Sequence, residues 1–110
     1  MATLSDFDVE RIAFEAFSAA SVASNAFLEK YGDRDSAGFA WTVLRPANCK
    51  MAKYLVARGL ASSHYTGGVA VWNPGKANTQ SITAKEEGAI AFTEVMRKYG
   101  IKASSNSRLD

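Results

Sequence analysis

Cysteine and histidine are each present once, as Cys49 and His64, in a chain of 110 residues. A lone cysteine excludes an intramolecular disulfide and a thiolate-built structural zinc site, and a lone histidine excludes a zinc centre resting on two imidazoles. Such sparse thiol usage fits a reducing compartment. Long apolar runs are also lacking, and nothing approaches the ~20 residues that a membrane-spanning helix needs. The early residues, with Asp6, Asp8 and Glu10, lack the basic opening and apolar middle of a secretory leader, so the expected location is the cytoplasm, with no membrane partner. Charge of one sign is scarce as well. A formal charge of +2 is too small to imply phosphate binding from bulk electrostatics, which leaves a local basic patch as the route to nucleic acid.

What is present is ordinary globular composition. The hydrophobic fraction of 47% matches the usual range for folded domains, and the charges are mixed along the chain. Residues 1–110 are expected to form a single domain, burying roughly two thirds of the unfolded chain's surface.

Residues 5–31 read as one long helix. Ser5 is placed to cap it, Asp6 and Asp8 complement the dipole of its first turn, and Gly32 ends it. Val9, Ile12, Ala13, Ala16, Phe17, Ala20, Ala23 and Phe27 recur at three- and four-residue steps, laying an apolar stripe along one side. Ala16, Ala20 and Ser24 add a line of small residues that lets another backbone approach closely, while Phe7 and Phe14 lie off the stripe. Residues 37–45 read as a strand, with Phe39, Trp41 and Val43 on one face and Ala40, Thr42 and Leu44 on the other. Pro46 ends it and suits the first turn of a second helix over residues 47–58. That helix has Met51, Tyr54 and Leu55 on its apolar side, Lys50, Lys53 and Arg58 on its basic side, and Gly59 as its stop.

Residues 60–65 and 69–72 flank Thr66-Gly67-Gly68 and predict a hairpin, since two glycines supply the positive φ of a tight turn. Asn73-Pro74-Gly75 ends the second arm. In the last helix Thr83 and Glu86 have the spacing of a capping box, and Gly100 follows a basic final turn. Ala89, Phe92, Val95, Met96 and Ile101 supply its core side. Composition alone predicts a frayed tail over residues 103–110. The fold class is therefore α+β: a small three- to four-stranded, mainly antiparallel sheet packed with three helices in the order α-β-α-β-β-α, with the tail as a candidate edge strand.

Four stretches carry a resemblance. Gly38-Phe39-Ala40-Trp41, Thr66-Gly67-Gly68 followed by Trp72-Asn73-Pro74, Gln80 with Lys85-Glu86-Glu87-Gly88-Ala89, and Ser107-Arg108-Leu109-Asp110 resemble a family of small proteins encoded by bacteriophages and prophages. The likeness spans about residues 37–110 and rests on the joint order of short motifs. It implies a phage origin, a host-cell cytoplasmic location, a similar fold and a C-terminal tail ordered against the sheet. It carries over no catalytic residue. The tail departs from the family pattern at Ala103-Ser104-Ser105-Asn106, which is more polar than a paired strand calls for.

No set of residues has the spacing of a catalytic or cofactor site, and neither metal nor cofactor is expected. Cys49 and His64 lack any flanking motif of a nucleophile and base, so Cys49 reads as a small buried hydrophobe and His64 as structural or solvent-facing, with a binding role beside Tyr65 in the hairpin as its alternative. Gly67-Gly68 is followed by a strand and lacks a lysine in register, so it reads as a turn and not a phosphate loop. Glu86 and Glu87 are accounted for by helix capping, and Asp33 and Asp35 by loop chemistry.

The suggestive set is aromatic and basic. Trp41, Tyr65 and Trp72 fall on or beside the sheet, and Arg45, Lys50, Lys53 and Lys85 lie in the same half of the chain. Rings on a sheet with flanking cations can stack bases while neutralising phosphates. Asn73, Gln80 and Arg108 form a second candidate set, for a partner or an anion, on loops and the tail. The leading expectation is a non-enzymatic phage-type accessory protein that binds a host or phage protein or forms a homodimer through its first helix and a sheet edge. The alternative is a small nucleic-acid-binding protein that uses the sheet aromatics and the basic second helix.

Overall fold

Ser5 does cap the first helix. Its hydroxyl accepts from the Asp8 amide at 3.1 Å while the Asp8 carboxylate accepts from the Ser5 amide at 3.2 Å, a reciprocal capping box. Those hydrogen bonds hold the Asp8 carboxyl below the usual carboxylate range. The computed structural model describes residues 4–32 and 35–109; the expectations placed on Asp33 and on Asp110 lie outside them. Helix α1 spans Asp6–Tyr31 and ends at Gly32, whose φ of 73° suits glycine.

Strand β1 (Gly38–Arg45) is followed by helix α2 (Lys50–Ala57), strand β2 (Ser62–Ser63), strand β3 (Val69–Trp72), helix α3 (Ile82–Lys98) and strand β4 (Lys102–Leu109). The four strands form one antiparallel sheet in the order β2-β3-β1-β4. This is the α+β fold that the sequence predicts.

Four local readings need correction. The polar tail is a strand, not a frayed end: all eight residues of β4 pair with β1, from Lys102 opposite Arg45 to Leu109 opposite Gly38. The short polar side chains suit a strand whose outer edge is unpaired, and backbone pairing along a complete partner strand outweighs weak strand propensity. The cap of α3 is Ser81 and not Thr83, because a bridge from Ala37 to Ser81 keeps the chain extended up to that point. Ser81 Oγ accepts from the Ala84 amide at 3.1 Å, and the Asp35 carboxylate accepts from the Thr83 amide at 3.0 Å. Hydrogen bonds from Ser81 and then Thr83 keep the Asp35 carboxyl below its ordinary range. Helix α2 begins at Lys50, with Cys49 as its cap: the partly buried thiol accepts from the Ala52 amide at 3.4 Å. The first arm of the hairpin contracts to two strand residues, Ser62 and Ser63.

All three helices contribute to one core. Val9, Ile12, Ala16 and Ala20 of α1 meet Phe92, Val95 and Met96 of α3, with Met51 and Leu55 of α2 and Leu44, Val69 and Val71 of the sheet. The small-residue line of α1 is spent inside the molecule. Ser24 is fully buried, and its hydroxyl donates to the Ala84 carbonyl at 2.7 Å. A Cβ on Gly75 would lie 2.2 Å from Ser24 Oγ and 2.9 Å from the Ala20 carbonyl. Gly75→Ala is therefore expected to destabilise the fold by about 1–3 kcal/mol, read as a lower urea midpoint at unchanged slope.

Candidate nucleic-acid interface

In an antiparallel pair, directly opposed residues share a face, so the register sorts the sheet's side chains. Thr42 marks the helix side, since its hydroxyl donates to the Ala89 carbonyl of α3 at 3.0 Å. Ala40 and Leu44 share that side with it and are buried. The other side therefore carries Phe39, Trp41, Val43 and Arg45 of β1. Opposite Trp41 stand Trp72 and Asn106, and opposite Phe39 stands Arg108. Ala70 and Ser104 flank Val43, and Lys102 faces Arg45. None of these residues carries negative charge.

The rings on this face touch in a row. Tyr65 and His64 lie 4.6 Å apart between centroids, His64 and Trp41 6.2 Å, Trp41 and Trp72 4.6 Å, and Trp72 and Phe39 6.4 Å, the last pair edge to face. Tyr65 is 93% exposed, Trp72 46% and Phe39 37%, so the row is largely open to solvent. Such exposure is unusual for large aromatics in a small domain, whereas a core role would bury them. Val43 and Ala70 on the same face are buried, although they point away from the helices.

Cations gather at one end. The Arg108 guanidinium sits 5.6 Å from the Phe39 ring centroid and Lys85 Nζ 5.4 Å from it, while Lys85 also donates to the Gly38 carbonyl at 2.8 Å. Arg45 lies nearer the hairpin and donates to Thr66 Oγ1 at 3.0 Å. Trp41, Tyr65 and Trp72 fall in the one row, with Lys85 at its Phe39 end and Arg45 at the opposite end of β1.

Lys50 and Lys53 do not join them. Lys50 donates to the Leu4 carbonyl at 2.8 Å and pairs with Asp6 at 3.0 Å, while Lys53 lines a groove with Asp6 and Glu10. Arg58 turns toward Glu10 at 3.9 Å. The basic side of α2 is thereby matched to the acidic start of α1, a pairing that charge counting along the sequence cannot show. The second candidate set also separates. Asn73 continues the β3 side of β1, where its amide donates to the Ala40 carbonyl, and its side chain holds its own turn through the Ala77 carbonyl at 3.3 Å. Arg108 stands on the opposite, β4 side of β1. Gln80 is exposed, and its backbone carbonyl accepts from the Gly38 amide.

Phe39 goes unassigned by sequence reasoning, signalled only by its two-residue spacing from Trp41, whereas a binding role for His64 stands there as the alternative to a structural one. Among the described residues no group of three His, Cys, Asp or Glu could hold a metal ion. Likewise, no described helix is long and apolar enough to cross a membrane. No protein family, curated protein or solved structure matches the chain.

Proposed function

We propose that the protein is a phage-type accessory factor whose open sheet face binds single-stranded nucleic acid by stacking. The observation that carries this reading is the ring row with cations at its margin and no carboxylate among the face positions described above. Base stacking on an aromatic side chain contributes about 1–3 kcal/mol per base, and it is tolerant of sequence because every base presents a π-face. Arg108, Lys85 and Lys102 would follow the phosphates, each contact releasing counterions. Duplex DNA keeps its bases stacked on one another and offers such a flat surface little beyond phosphate contacts.

The test is titration of single-stranded and duplex oligonucleotides at low salt with tryptophan fluorescence as the readout. Single strands are expected to quench the emission, with affinity falling as a power of salt concentration whose exponent reflects about two to four phosphate contacts. No quenching by any single strand at low salt would remove this reading.

A second reading, association with a host or phage protein or with another copy of the chain, is favoured by a different surface. Phe7 is 74% exposed and Phe14 65%, both on the solvent side of α1. The outer edge of β4 is a weaker candidate for self-pairing. Antiparallel pairing about the strand's centre would set Lys102 of one copy near Arg108 of the other, and like charges opposed across strands repel.

A further inference from the structure

Val22, 69% exposed, joins Phe7 and Phe14 on one side of α1, since steps of seven and eight residues each make about two turns. Ser18, Ser21 and Asn25 continue the same side, so it is bulky near the start of the helix and small near its end. The opposite side carries the buried Val9, Ile12, Ala16 and Ala20. A helix surface graded from large to small along its length is complementary to itself when reversed, which is the condition for a twofold contact.

Resting on the reading of this side of α1 as a protein contact, we infer that its partner is a second copy of the chain, packed helix to helix in antiparallel orientation with the two Ser18 residues on the twofold axis. In that register Phe14 of one copy faces Val22 of the other, and symmetry makes the contact twice. Asp6, whose carboxylate stays open to solvent beside Lys50, faces Lys30 of the other copy. Arg11 faces Asn25, one turn from Glu29. Parallel pairing would instead set Arg11 on Arg11 and Glu29 on Glu29 and align the two helix dipoles, so charge selects the antiparallel arrangement.

Small Ser18 at the crossing lets the helix axes approach to about 8–10 Å, and about 20 residues of each helix in contact bury roughly 1,000 Å² in total, the lower limit for a specific interface. The dimer is accordingly weak, with a dissociation constant of about 10–100 µM. Helix α1 lies on the helix side of the sheet, with its core residues against Leu44 and Val71. Pairing through its outer side therefore leaves both open sheet faces on the outside of the dimer, and one dimer presents two of them.

Sedimentation equilibrium of the full chain from about 5 to 500 µM is expected to show monomer giving way to dimer by mass action. Phe14→Glu places a charge in the apolar contact and is expected to weaken the dimer by at least about 10-fold, with the urea midpoint nearly unchanged because the site is exposed. Cross-linking reads the orientation in a Cys49→Ser background, which keeps a capping side chain on α2. Ser18→Cys is expected to form a disulfide between copies, whereas Asn25→Cys, held about 20 Å from its mate along the helices, is not. A monomer at every concentration would overturn the dimer and leave this side of α1 as a contact for a different protein. A dimer that Phe14→Glu does not weaken would overturn both. Disulfide formation at residue 25, or at neither position, would overturn the antiparallel register.

Discussion

Replacing Trp72 with alanine is expected to lower affinity for single-stranded nucleic acid by about 10- to 100-fold while leaving the urea midpoint nearly unchanged. The ring is 46% exposed and lies at the centre of the row, 4.6 Å from Trp41 and 6.4 Å from Phe39. Its removal takes away one stacking surface and frees its two neighbours to reorient. About 1–3 kcal/mol per stacked base sets the size of the loss, at about 1.4 kcal/mol for each factor of ten. Lys53→Ala is the matched control. Lys53 lies with Asp6 and Glu10 in the groove between α1 and α2, and its removal should leave binding within about twofold. Anisotropy titrations of the two variants side by side check both values. A large loss in Lys53→Ala with none in Trp72→Ala would move the interface to the second helix.

Phe92→Ala is expected to produce the largest change in stability, a loss of about 3–5 kcal/mol. The side chain is fully buried at the meeting of α1 and α3, and its ring packs edge to face on Phe17 with centroids 4.9 Å apart. The cost combines lost transfer free energy with a cavity that neighbours such as Ile12 and Met96 cannot fill without shifting. Against a total of about 5–15 kcal/mol for a typical domain, this places the variant near its unfolding threshold at 37 °C. Urea unfolding followed by circular dichroism gives the number. A loss below about 1 kcal/mol would mean that this helix contact is not the centre of the core.

The long helices were legible because their signals are local. Ser5, the apolar spacing through Ala20, and Gly32 each act within a turn or two, and α1 forms where they say. The cap of α3 is not legible locally because its position depends on a bridge between Ala37 and Ser81, residues far apart in the chain. Strand β4 shows the same limit more sharply. Lys102, Ser104, Asn106 and Arg108 have little strand propensity of their own, and only the unsatisfied backbone of β1 draws them into the sheet.

The candidate face was half legible. Two-residue spacing puts Phe39 beside Trp41 from sequence alone, but which side of the strand meets the helices was not decidable there. Both faces of β1 carry apolar residues. The structure decides through Thr42, whose hydroxyl is consumed by the Ala89 carbonyl and the Thr93 hydroxyl, each at 3.0 Å. A helix-side hydroxyl satisfied in this way leaves the bulkier row to face solvent. The basic residues divide for an electrostatic reason: those of α2 have acidic neighbours on α1, whereas Arg45, Lys85 and Arg108 have rings, hydroxyls and carbonyls around them.

The central claim is that the open sheet face, with Lys85 at its margin, meets the ligand, and not α2 or the outer side of α1. Amide and indole N–H resonances followed by NMR during addition of a single-stranded oligonucleotide test it most directly. Shifts are predicted for the indole signals of Trp41 and Trp72 and for the amides of Phe39, His64 and Arg108, with α1 and the C-terminal half of α3 unmoved. Shifts confined to α2 or to the Phe7 and Phe14 side of α1, or none at all, would contradict it.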